Sequence, residues 1–242
     1  MSSSALPLVW ITRTAAGAQK TARAVEALGY EALIAPVLRV APLKPVIDPH
    51  SFDAVIFTSR NGVEAFSSLC SRRALTAWCV GEATAAAAQQ HGFQTVISAD
   101  GNVGDLIDLI RRDSDRHSRL LHAAPREPAG DLCETLRADG FQVSEVAVYE
   151  TQAIRPPLSP ADLARLRHIL IHSPRGGRAV ADVLLAHYDK LHFPKLCFIC
   201  ISEAAWQGLE TTLGKAMAAG LERRIAATPD EAAMLRLLDT DK

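Results

Sequence analysis

The sequence predicts an α/β protein of two similar lobes, each a parallel sheet flanked by helices, with the first lobe discontinuous in the chain. Three observations carry this. Short apolar runs alternate with stretches of helical spacing along the whole chain, the rhythm of a parallel sheet covered on both faces. The chain also repeats itself: Val9–Val40 returns in outline as Leu120–Thr151, Ala54–Val63 as Ile169–Arg178 and, more faintly, Val80–Ala85 as Ile201–Trp206. A period of roughly 110 residues is too long for a solenoid and suits a duplicated domain. Finally, prolines cluster at two joints, with Pro36, Pro42, Pro45 and Pro49 in one and Pro156, Pro157 and Pro160 in the other.

Taken in order, a first strand at Val9–Ile11 precedes a helical stretch at Ala18–Leu28, and Gly29-Tyr30 turns the chain into a strand at 32–37. Beyond the first proline joint come strands at 54–58, 78–80 and 95–98, with helical stretches at Gly62–Cys70, Ala83–His91 and Val103–Arg111. The second copy opens with a strand at 120–123, a helix at Ala129–Ala138, the turn Gly140-Phe141 and a strand at 146–149. Strands at 169–172, 196–201 and 224–227 and a helix at Ala232–Leu238 complete it. The strands are continuous apolar runs, as strands buried on both faces are. A first piece of about three dozen residues is too small to bury a core by itself. If the chain crosses between lobes at both joints, each lobe receives one unit of every kind. That places the first lobe at 1–37 plus 158–242 and the second at 47–150, with 38–46 and 151–157 connecting them, in preference to two consecutive lobes. Two similar lobes imply a cleft in which a sizeable ligand would sit.

The 242 residues suffice for two domains. With 48% hydrophobic and 22% charged residues the chain is globular, not disordered. A net charge of −1 argues against general nucleic-acid binding, although a few local cations suffice for an anionic ligand. No apolar run approaches the span a bilayer needs, and MSSSALPLVWITR has no charged leader before its apolar run. Five cysteines without framework spacing fit a reducing cytoplasm. Cys197 and Cys200 form a C-x-x-C inside the apolar run LCFICI, without a turn or partner ligands, and read as buried inert thiols. A monomer is expected, since no strongly apolar exposed helix face stands out.

In an open parallel sheet, ligands bind beyond the carboxyl ends of the strands. The residues there combine small hydroxyls, glycines and arginines with the exposed backbone N–H groups of helix N-termini, a set that holds carboxylates or phosphates. The candidate binding residues are Thr12, Arg13, Thr58, Ser59, Arg60, Asn61, Thr84, Arg126, Ser173, Arg175, Gly176 and Ser202. Taken singly, each hydroxyl is equally an ordinary N-cap and each glycine ordinary turn chemistry. Their recurrence at nearly every junction favours a ligand. Tyr149 ends its strand at a proline joint, either as an amphipathic plug or as a phenol placed to protonate a leaving group. Trp10, Trp78 and Trp206 sit in or beside apolar runs and read as core. There is no P-loop, no G-x-G-x-x-G after the first strand and no G-x-S-x-G elbow. His, Cys, Asp and Glu do not cluster at metal-ligand spacing, and His168 and His172, four apart on a strand, offer no chelating face. A cofactor-free, metal-free site is the expectation.

At these residues the sequence resembles the uroporphyrinogen-III synthase family. The likeness is carried by Thr12-Arg13, LGYEALIAPVLRVAP (Leu28–Pro42), FDAVIFTSRNGVEAF (Phe52–Phe66), VGEATAAAAQQHGF (Val80–Phe93), LRADGFQVSEVAVYET (Leu136–Thr151), HSPRGG (His172–Gly177) and ATPDEAAML (Ala227–Leu235), in family order over essentially the whole chain. The resemblance implies two flavodoxin-like lobes joined by a two-stranded connection. It implies a lyase that converts hydroxymethylbilane, a linear tetrapyrrole with eight carboxylates, into uroporphyrinogen III with loss of water and inversion of ring D, without a cofactor. Such a substrate calls for many N–H, hydroxyl and arginine donors. The chain departs from the family at Ser202-Glu203-Ala204-Ala205, where a Gly-Pro-x-Thr block is usual, and at Arg60, where Pro or Ala is common. Arg126 falls where the family's charged loop sits, and Tyr149 is the candidate acid.

Three other readings make different demands. A bilobal binder of a small anion predicts an exported chain with a leader. A nucleotide-dependent regulator predicts a phosphate loop or an acidic triad where Thr12, Arg13 and Ser59 stand. A catalytically impaired relative would bind without turnover. The expected setting is the cytoplasm, in haem biosynthesis, with transient contact to the enzyme that makes the bilane and with no nucleic-acid or membrane partner.

Overall fold

In the computed structural model, residues 6–187 and 196–238 are described, so the leader expectation on residues 1–5 and the outer ends of the first lobe at 1 and 242 lie outside them. The chain runs β1 (Leu8–Ile11), α1 (Ala15–Ala27), β2 (Glu31–Ile34), β3 (Leu38–Pro42), β4 (Ala54–Phe57), α2 (Arg60–Leu69), β5 (Thr76–Cys79), α3 (Glu82–Gln90) and β6 (Thr95–Ser98). It continues α4 (Val103–Asp113), β7 (Arg119–Pro125), α5 (Leu132–Ala138), β8 (Gln142–Ala153), α6 (Pro160–Arg165), β9 (Leu166–Ile171) and α7 (Pro174–Ala186). The last elements are β10 (Cys197–Cys200), α8 (Glu203–Leu213), α9 (Lys215–Ala218), β11 (Glu222–Ile225) and α10 (Glu231–Arg236). Two compact units result: Met1–Arg39 with Gln152–Lys242, and Val40–Thr151. The chain leaves the first unit within β3 and returns to it within β8.

Each unit is built on its own sheet, with strand order β11-β10-β9-β1-β2 in the first and β3-β8-β7-β4-β5-β6 in the second. Matching β7-β8 to β1-β2, β4 to β9 and β5-β6 to β10-β11 makes the two orders identical, apart from the extra edge strand β3. The matched pairs are parallel throughout. The sheets are flanked by helices, as the strand–helix alternation predicts. Burial explains which strands lie central. The β1, β4 and β10 side chains are buried on both faces, whereas β2, β6 and β11 are partly exposed at the edges. Along β10 the two faces alternate. Cys197 and Ile199 pack with Val25 and Met234 beneath α1 and α10, while Phe198 and Cys200 pack with Val180 and Trp206 beneath α7 and α8. Cys197 and Cys200 are 3% and 0% exposed, and burial pushes the Cys200 thiol up to about 12, as inert core thiols require. Trp10, Trp78 and Trp206 are all core.

Two differences from the sequence reading matter for the site. Ser173 and Ser202 begin α7 and α8, whose backbones meet with no room between them: a Cβ on Gly177 would overlap the Ala205 carbonyl oxygen, and one on Gly208 the Pro174 carbonyl oxygen. The sequence shows these only as ordinary glycines. The strand at 146–149 extends at both ends, so Tyr149 lies inside β8 and does not end it. Its neighbours on both sides keep the ladder going. Pro125 of β7 is in register with Tyr149, and the Leu43 N–H donates to the Val148 carbonyl at 2.9 Å.

Candidate active site

In a sheet of this order the connection reverses direction beside the first strand, and the crevice at the carboxyl ends is the natural ligand position. That switch point lies between β1 and β9 in the first unit and between β7 and β4 in the second. The two switch points carry matching caps. After β4, Ser59 is the extended N-cap of α2 and its Oγ accepts from the Gly62 N–H at 3.1 Å. After β9, Ser173 is the extended N-cap of α7 and its Oγ accepts from the Gly176 N–H at 3.0 Å. Ser202 repeats the device on α8, accepting from the Ala205 N–H at 3.3 Å. A hydroxyl at the turn satisfies one of the helix's orphan donors and leaves the others facing the crevice. Gly62 lets α2 close down on β7, since a Cβ there would lie 2.8 Å from the Ala123 carbonyl oxygen.

In the second unit Tyr149 reaches the α2 cap: its hydroxyl is 2.9 Å from Ser59 Oγ. The ring is 6% exposed among core side chains of the α2 face. It borders a recess of about 310 Å³ with Val40 and Pro42 of β3 and Asn61, Glu64, Ala65 and Ser68 of α2, a size at the lower end for small-molecule sites. Ser59, Asn61 and Tyr149 are thus brought together. Arg60 is exposed and makes no hydrogen bond or ion pair with the described residues. Thr58 faces the opposite side of the sheet, with its Oγ1 3.3 Å from His122 Nε2. Arg126 is exposed, its Nε 2.8 Å from Glu150 Oε2, and its backbone N–H donates to the Tyr149 carbonyl at 2.8 Å. Thr84 is 5% exposed within α3, and so belongs to the packing.

In the first unit several candidates are held by the frame. Thr12 is 2% exposed and its Oγ1 donates to the Leu170 carbonyl at 2.5 Å, tying β1 to β9. Arg13 donates to Glu231 Oε1 at 3.1 Å and to Thr21 Oγ1 at 3.3 Å, and Thr21 also bonds Glu231. Gly17 makes room for this guanidinium, which a Cβ there would strike. Glu231 lies in the ATPDEAAML stretch, and its sequence position in the first turn of a helix gave no sign of this partner. Arg175 is half-buried on the first turn of α7, and Gly176 is buried. Beside Ser173, both ring nitrogens of His172 are buried without a hydrogen-bond partner among the described residues. Burial and the nearby Arg13 charge hold its pKa down to about 4, against a smaller opposing pull from Glu231.

One cluster has no sequence signal at all. His122 on β7, Cys133 on α5 and Glu145 on β8 place their ligand atoms within 4.8 Å of one another. The sequence shows no ligand spacing here, because the three are separated by whole elements. The sequence expectation concerned ligand spacing along the chain, and this grouping arises only from the fold.

No helix among the described residues is long and apolar enough to cross a membrane. No curated protein sequence matches the chain. Among solved structures, the uroporphyrinogen-III synthetase of Helicobacter pylori is similar over 98% of this chain and 100% of that one, at 20% identity and a TM-score of 0.61. A mutant uroporphyrinogen III synthase of the extremely thermophilic bacterium Thermus thermophilus is similar over 98% of both chains, at 14% identity and a TM-score of 0.52. These likenesses show the bilobal α/β fold. The family model described as uroporphyrinogen-III synthase HemD matches residues 19–236, taking in every strand but β1 and the Ser59, Tyr149, Ser173 and Ser202 positions, and the chain belongs to that family.

Proposed function

We propose that this chain closes hydroxymethylbilane into uroporphyrinogen III, with Tyr149 giving the proton that lets the hydroxymethyl oxygen leave as water. The family membership supports the reaction, a lyase step of haem biosynthesis. The observation that supports the role of Tyr149 is its 2.9 Å contact with Ser59. Ser59 Oγ accepts from the Gly62 N–H, and either hydroxyl can be the donor of the Ser59–Tyr149 bond; in this reading Ser59 donates to the Tyr149 oxygen. The phenol's proton is then available to the leaving group, and the phenolate left behind is stabilised by the Ser59 O–H. Loss of water leaves an electrophilic azafulvene on the first ring. Ring D attacks it through its substituted carbon, and the spiro intermediate fragments and recloses with ring D inverted. The proton lost from the pyrrole on reclosure restores the phenol. Nothing is oxidised or reduced, so the reaction needs no redox cofactor.

At the carboxyl edge of the second unit's sheet, Ser59, Arg60, Asn61 and Arg126 are the groups offered to carboxylates of the bilane; at the carboxyl edge of the first unit's sheet, Ser173, Arg175, Gly176 and Ser202 are groups of the same kind. Arg60, exposed and without a described partner, is the readiest cation. Thr12 and Thr58 contribute by fixing strand ends and Thr84 by packing within α3, and Arg13 reaches substrate only by giving up Glu231. Because the uncatalysed ring closure runs on its own to the type I isomer, positioning matters more than acceleration. Transient contact with the enzyme that supplies the bilane, and a cytoplasmic setting, belong to the same reading.

The test is a product assay. Freshly made hydroxymethylbilane is incubated with the purified protein and no additive, and the oxidised porphyrins are separated by isomer. A dominant type III isomer is expected. Type I alone overturns the reading, and a separate bilane-binding measurement then distinguishes an inactive binder from a protein with another substrate.

A further inference from the structure

We infer that His122, Cys133 and Glu145 form a binding site for one zinc-like divalent cation, lying on the face of the second unit's sheet opposite Tyr149. The site is assembled from a cross-strand pair and a covering helix. His122 and Glu145 are register partners on β7 and β8, and Cys133 comes from the first turn of α5. His122 Nδ1 is 3.0 Å from Glu145 Oε2, Cys133 Sγ is 3.4 Å from His122 Nδ1, and Cys133 Sγ is 3.3 Å from Glu145 Oε2. Around a tetrahedral zinc ion with bonds of about 2.0–2.3 Å, the edges between such ligands measure about 3.3–3.6 Å. The three donors therefore already form one face of that tetrahedron, short by no more than a few tenths of an ångström.

The surroundings suit a ligating histidine. His122 is 2% exposed, and a ligating imidazole binds in its neutral form. With Nδ1 on the metal, the Nε2–H donates to Thr58 Oγ1, 3.3 Å away, a supporting bond that fixes tautomer and ring orientation. Access is open on one side. Cys133 and Glu145 border a recess of about 260 Å³ with Asp131, Glu134 and Arg137. The two further carboxylates outweigh the one guanidinium, whose Nε is occupied by the Val143 carbonyl. The fourth position falls to a water from this recess. Binding deprotonates the Cys133 thiol, so each cation taken up releases one proton, while the imidazole proton moves from Nδ1 to Nε2. This site is independent of the proposed catalytic reading and would not fall with it.

The full-length protein, stripped with a chelator, is titrated with Co²⁺ and then with Zn²⁺. One equivalent of Co²⁺ is expected per chain, with a thiolate-to-cobalt charge-transfer band that Zn²⁺ abolishes, and Zn²⁺ should raise the melting temperature. Cys133→Ser should remove the band. Glu145→Gln, at a partly exposed strand position, should melt with the metal-free wild type and bind Zn²⁺ at least about tenfold more weakly. Absence of one-to-one binding overturns the site, as does binding undiminished in both variants. If Cys133→Ser does not fold, the charge-transfer band of the wild type and the Glu145→Gln affinity decide it.

Discussion

The hydroxyls of Ser59 and Tyr149 lie 2.9 Å apart although 90 residues separate them in the chain. One caps a helix and the other stands in the middle of a long strand, and their meeting ties the α2 terminus to β8. The contact gives Ser59 two tasks, because its oxygen accepts from the Gly62 N–H while the same hydroxyl is hydrogen-bonded to the phenol.

Replacing Tyr149 by Phe keeps the buried ring and removes the proton donor. Turnover to the type III isomer should fall by roughly 10²-fold, the lower end for a general acid, with KM little changed. Steady-state kinetics on fresh bilane provide the check. Undiminished turnover would take the acid role away from Tyr149.

Ser59→Ala and Ser173→Ala remove equivalent caps, and each should cost about 1 kcal/mol in urea unfolding. Their kinetics should differ. Ser59→Ala should lower kcat, because the phenolate loses its partner, whereas Ser173→Ala should chiefly raise KM.

Gly208→Ala tests the approach of α7 and α8. In an unhindered helix interior this change would stabilise by about 1 kcal/mol. Here the new methyl meets the Pro174 carbonyl oxygen, and overpacking of this kind costs about 1–3 kcal/mol. A denaturation midpoint below that of the wild type is expected. One above it would mean the helices separate readily.

His172 should make stability depend on pH. Its folded pKa of about 4 lies below the ordinary 6.5, with burial and Arg13 pressing it down and Glu231 raising it. Between those values the unfolded chain binds the extra proton, so this contribution is complete above pH 6.5 and is lost as pH falls towards 4. The depression corresponds to about 3 kcal/mol at most. His172→Leu removes the titrating ring and should flatten the stability profile across that window. Parallel profiles for the two proteins would count against it.

Much of the architecture was legible from local pattern. Apolar runs alternating with helical spacing specify strands and helices, and the internal repeat specifies two sheets. The hydroxyls of Ser59, Ser173 and Ser202, each between an apolar run and a helical stretch, announce N-caps because capping is decided within four residues. Trp10, Trp78 and Trp206 announce core for the same reason.

Tertiary structure decided what those groups touch. Thr12 reads as a site hydroxyl until β9 supplies the Leu170 carbonyl from 158 residues away. Arg13 reads as a ligand cation until Glu231 of α10 takes it. Tyr149 reads as a strand end until β3 and β7 extend the ladder past it. His122, Cys133 and Glu145 show no motif because they come from three elements that only sheet pairing and helix packing bring within reach. A repeat period records the local conformation of the backbone. The partner of a side chain depends on which strand lies next to its own, and that is settled only when the sheets assemble.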